Sequence, residues 1–106
     1  MRTFPKELGE FRRMVKARGD ALRGMPRDEL IAAGRQPAET WEVAGRPATV
    51  SVIVEDKDDG SLRVVVQGFM PSKWVSAVSS VALDGFYKRP TGAIEPMPDE
   101  EFYEFD

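Results

Sequence analysis

The chain has no cysteine and no histidine. The first absence removes disulfides, thiol nucleophiles and zinc–thiolate sites together. The second removes the commonest general base and the commonest transition-metal ligand. Long apolar runs are missing too, and none nears the roughly 18 residues of a membrane span. The first residues, MRTFPKELGEFRRM, are charged throughout and lack the apolar stretch of a signal peptide. There is no phosphate-binding loop and no metal-ligand spacing. These gaps leave no catalytic, cofactor-binding or metal residue to assign, and the expected location is the cytoplasm. Function is narrowed by exclusion.

What is present argues for one folded domain. A length of 106 residues fits a single domain, and 42% hydrophobic with 31% charged residues excludes wholesale disorder. The net charge is −3, but it is unevenly spread. Residues 1–38 hold nine Lys/Arg against five Asp/Glu, and residues 39–106 hold six against thirteen. Attraction between the two parts within the fold accounts for this best.

Thr3 reads as a helix cap with Pro5 in the first turn. Phe4, Leu8, Phe11, Val15 and Leu22 then share a narrow arc at about 100° per residue, which predicts an amphipathic helix. Lys6, Arg12, Arg13 and Lys16 form its basic flank, and Gly19 either ends the helix or is carried inside it. PRDELIAAG predicts a second, short helix with Pro26 in its first turn, Asp28 and Glu29 at its positive end and Gly34 at its stop. Both helices fall within residues 1–36.

Residues 39–96 read as sheet. Thr40 to Val43 is a short strand, and ATVSVIVEDKDDGSLRVVVQGF is a hairpin with period-two alternation either side of an Asp/Gly turn. A last hairpin is predicted about Arg89-Pro90-Thr91-Gly92, with arms Phe86–Lys88 and Ala93–Glu95. Trp74 to Leu83 fits a loop entering a strand better than a helix. The expected fold is therefore α+β, with two N-terminal helices on one face of a four- to five-stranded, mainly antiparallel sheet. Val50, Val52, Val54, Leu62, Val64 and Val66 are expected to face the first helix.

The other sheet face is only half polar: Ser51, Glu55, Arg63 and Gln67 surround Ile53, Val65 and Phe69. These three, with Trp74 and the aromatics Phe102, Tyr103 and Phe105 of the acidic tail (residues 97–106), are the candidate interaction surface. The tail is expected to dock on its own domain, against the basic helix. The expected role is a non-catalytic interaction domain that engages a protein partner or a second copy. A small acidic chain can also block a basic partner electrostatically.

Two alternatives come from other classes. Lys73, Trp74, Phe86, Lys88 and Arg89 mix aromatics with cations, as single-stranded nucleic-acid binders do. A pI near 5.0 opposes a polyanion, so this reading ranks lower. Glu55 and Asp84 are a carboxylate pair that an acid–base enzyme would need in one pocket, although Asp84 before Gly85 reads better as a turn residue. The carboxylates of EDKDDG fit neither register of a calcium loop, and a solvated turn accounts for them.

Overall fold

The computed structural model describes residues 5–43, 45–71 and 79–104, with side chains for all of these but residues 5–8, 71, 79–80 and 103. Helices α1 (Pro5–Arg23) and α2 (Arg27–Gly34) precede strands β1 (Glu39–Val43), β2 (Arg46–Asp56), β3 (Leu62–Pro71), β4 (Ser79–Lys88) and β5 (Ile94–Pro96). A 3-10 helix, Asp99–Glu104, follows. The strands lie side by side in chain order and every neighbouring pair is antiparallel. The protein is α+β, with its helices N-terminal to the sheet.

The register explains the core. Val52 pairs with Val66 and Val54 with Val64, and Val64 pairs in turn with Phe86. These side chains share one face, and Phe11, Val15 and Leu22 of α1 bury against it. Gly68 marks the closest approach: a Cβ there would lie 2.7 Å from Phe11 Cζ and 2.9 Å from Val15 Cγ2. Helix α2 covers the neighbouring strand, with Gly34 against Val54. Each fully buried apolar side chain of α1 contributes about 1.5–3 kcal/mol, which exceeds the ~1 kcal/mol helix penalty of an internal glycine. Gly19 is accordingly carried inside α1, where a Cβ would collide with the Asp84 carboxylate.

Several expectations change. Asp84 is no turn residue; it sits within β4 and its carboxylate takes two hydrogen bonds from Arg23, at 2.7 and 3.1 Å. Its partner is 61 residues away, beyond any local pattern. Pro26 stands before the first helical residue of α2, in extended backbone (φ −70°, ψ 166°). Its carbonyl accepts from the amides of Glu29 and Leu30, so it starts the helix from outside. The proposed cap Thr3 and the segment 72–78 lie outside the described residues.

Both tight hairpins close alike. Lys57 N–H donates to Ser61 O and Arg89 N–H to Ala93 O, each at 2.8 Å, with Gly60 (φ 87°) and Gly92 (φ 94°) in left-handed backbone. Only glycine adopts that conformation without strain.

Candidate functional site

The face of the sheet away from the helices carries Ile53 and Glu55 of β2, Arg63, Val65, Gln67 and Phe69 of β3, and Val81, Leu83, Gly85 and Tyr87 of β4. The chain itself covers half of it. After β5 the backbone turns back, and Met97, 4% exposed, lands on Gly85. A Cβ on Gly85 would lie 3.0 Å from the Met97 sulfur, so glycine lets the segment lie close to the strand. Gly85 pairs with Val65, which is 0% exposed. Val65 therefore offers nothing to a partner, although its sequence phase matches Ile53.

Beside Met97, the 3-10 helix is held by one cation. The Arg63 side chain, 6% exposed, donates to Glu101 at 2.9 Å and Glu104 at 3.0 Å, and also pairs with Glu55. Burial disfavours the Arg63 charge, but hydrogen bonds to Glu104, Glu101 and Glu55 outweigh it and raise its pKa above the usual guanidinium value. The Tyr87 hydroxyl donates to Glu101 at 2.6 Å. Burial, then that bond to an anion, pushes the Tyr87 pKa up. The tail thus docks on the domain, but the expected contact with the basic helix is corrected. It lies on the opposite face of the sheet, because β5 delivers the chain there and Arg63 supplies the counter-charge.

This docking has a pH signature. The hydrogen bond from Tyr87 holds the Glu101 carboxyl below its ordinary value, against its burial and aided by Arg63. A depressed folded-state pKa gives stabilisation that is present above the unfolded value and lost as pH falls through the folded one. Amide protection of residues 97–104 should therefore be full at neutral pH and be lost only as pH falls below the ordinary glutamate range, before the β2–β3 ladder opens. Glu101→Gln should remove most of that pH dependence. Unchanged protection down to pH 2 would contradict the assignment.

An open hollow of about 570 Å³ adjoins this corner, lined by Lys57, Asp59, Tyr87, Arg89, Glu95 and Glu101 among others. Its arginine is engaged by two of its acids. Arg89 contacts Glu95 at 2.7 Å and Asp59 at 3.7 Å, and its guanidinium lies 4.8 Å from the Tyr87 ring centre. Glu101 stays ionised at neutral pH and cannot serve there as a general acid. Glu55 and Asp84 lie on opposite faces of the sheet, so the carboxylate pair does not converge.

The nucleic-acid candidates do not form one platform. Phe86 is fully buried on the helix side, with the Arg23 guanidinium 4.9 Å from its ring centre, and cannot stack on a base. Lys88 shares its phase, whereas Tyr87 points to the other face. Arg89 is bonded to Glu95, and Lys73 and Trp74 lie outside the described residues.

Among the described residues, nothing covers the other half of the second face. Phe69 is 45% exposed; Val81, its β4 partner, and Leu83, two residues on, are partly exposed. Ile53 borders the covered half and is also partly exposed. Phe102 is half-buried, while the Tyr103 side chain and Phe105 lie outside the described residues. Sequence reasoning missed Arg63, Tyr87 and Met97. The available signal was a strand arginine opposed by Glu101 and Glu104, acids three residues apart on a short helix.

No known protein family, curated protein or solved structure matches this chain. No helix is long and apolar enough to cross a membrane among the described residues.

Proposed function

We propose that this chain is a small protein-binding domain that engages its partner through Ile53, Phe69, Val81 and Leu83. The supporting observation is the unequal treatment of one sheet face. The protein's own C-terminal segment covers Val65 and Gly85, yet Phe69 keeps nearly half of its surface in water. Phe69, Val81 and Leu83 lie together, with Ser51 and Gln67 between them and Ile53, and an apolar group beside a built cover is the usual mark of a recognition surface. The charged groups nearby are spent on each other, which favours binding over catalysis.

The test is capture of partners from native lysate by tagged wild-type and Phe69→Glu proteins, with and without nuclease. Phe69→Glu should change stability by less than about 1 kcal/mol, because the side chain is already half exposed. It should lose a stoichiometric protein partner that the wild type retains after nuclease. Equal recovery by both proteins, or recovery that vanishes with nuclease, would overturn the proposal.

A further inference from the structure

The sheet ends unevenly. Strand β4 runs from Ser79 to Lys88, but β5 pairs only with Phe86, Tyr87 and Lys88. Residues 79–85 have β3 on one side and, among the described residues, no strand on the other. The direction of their backbone groups follows from the hairpin. Arg89 donates its amide to Ala93, so odd-numbered residues of β4 present N–H and C=O to the outer side, and even-numbered ones bond to β3. Val81 and Leu83 therefore hold outward donors and acceptors that no strand takes among the described residues. One outward carbonyl, Gly85 O, already takes a hydrogen bond from Arg23 at 3.3 Å.

Exposed edges are normally shortened, charged or bulged to prevent pairing. The opposite edge follows that rule: β1 has five residues and carries Glu39 and Glu42. The β4 edge does not. Val81, Ala82 and Leu83 are apolar, no proline interrupts them, and Phe69 lies one strand further in.

Helix α1 supplies the charge beside this edge. It runs along β4, with Val15 near Gly68, the partner of Ala82, then Gly19 at Asp84 and Arg23 at Gly85. Arg18 reaches the β1 side, toward Glu39 at 3.9 Å. At about 100° per residue, exposed Arg12 and Lys16 fall on the Gly19–Arg23 flank, above the open stretch. Asp20 and Asp84 face the same flank; Asp84 is taken by Arg23, and the exposed Lys16–Asp20 pair (2.7 Å) is of the weak kind. The flank remains net positive.

We infer that the open edge of β4 accepts an extended partner segment as a sixth strand, and that this strand alternates apolar with acidic residues. Its apolar side continues the Phe69–Val81–Leu83 patch, and its acidic side lies beside Arg12 and Lys16. This inference rests on the protein-binding reading and names the chemistry of its partner.

Two synthetic peptides, acetyl-(Val-Glu)4-amide and acetyl-(Val-Lys)4-amide, test it with the full chain. The acidic peptide should slow exchange of the Val81 and Leu83 amides and bind about tenfold more tightly than the basic one at low salt. The difference should shrink in high salt, and Arg12→Glu with Lys16→Glu should reverse it. Leu83→Pro removes an outward donor without touching the β3 ladder, and should abolish binding in the folded variant. The inference falls if neither peptide protects these amides, if both bind equally, or if they are protected without peptide in a concentration-dependent dimer. If the peptides fail while Phe69→Glu still loses a native partner, the binding domain stands and the β4 strand does not.

Discussion

Replacing Arg63 with methionine should cost the fold about 2 kcal/mol and release the C-terminal segment from the sheet. Breaking a buried ion pair from one side typically costs about 3–5 kcal/mol, because the partner charge stays buried. Here the three carboxylates are less secluded than the cation: Glu55 and Glu104 are substantially exposed and can return to water. The cost is reduced accordingly, but what remains is local. Without Arg63, Glu55, Glu101 and Glu104 repel one another, and among the described residues Met97 and the Tyr87 hydroxyl are left to hold the segment. Limited proteolysis should find new cleavage within residues 97–104, and the thermal midpoint should fall by roughly 10 °C. Arg63→Lys should lie between, since an ammonium cannot match the fork that spans three carboxylates. A methionine variant with wild-type midpoint and protease resistance would show that Arg63 does not hold the cover.

Gly68→Val should destabilise more, by about 3 kcal/mol, for a different reason. The added Cβ alone would come within 2.7 Å of Phe11 and 2.9 Å of Val15. Both side chains are fully buried, so neither can swing into solvent. Helix α1 would have to lift off β3, loosening the contact that also seats Gly19 over Asp84. Strand propensity favours valine over glycine by about 1 kcal/mol, too little to offset that displacement. Gly68→Ala should show a smaller loss, and Phe11→Leu should partly rescue it, with a coupling above about 0.5 kcal/mol in a double-mutant cycle. Additive losses would mean that the close approach is relieved elsewhere.

These two residues show what the sequence could convey. The helix-facing layer was legible because its signals are local: the alternation from Val50 to Val66 and the stripe of Phe11, Val15 and Leu22 each report one element's own period. Gly68 was silent, since a missing side chain says nothing until the helix that needs the space is in place. The second face was harder still. Ile53 and Val65 are alike in type and phase, and what distinguishes the buried residue is its pairing with Gly85, on which Met97 lands from twelve residues further on. Arg63 read as one more polar strand residue because its partners Glu101 and Glu104 are 38 and 41 residues away. Phe86 reads as a stacking aromatic in the sequence, and only the strand's phase places it beneath the helices. The candidate site was thus visible as a half-polar face, while its division into covered and uncovered halves required the fold.

That division carries the account, and hydroxyl-radical footprinting of the captured complex tests it most directly. Binding should sharply reduce oxidation of Phe69 and Leu83, while Tyr87 and Met97, beneath and beside the chain's own cover, keep the reactivity of the free protein. Loss of reactivity centred on Tyr87 and the Arg89–Glu95 hollow, with Phe69 unchanged, would contradict the account and move recognition to the other half of the face.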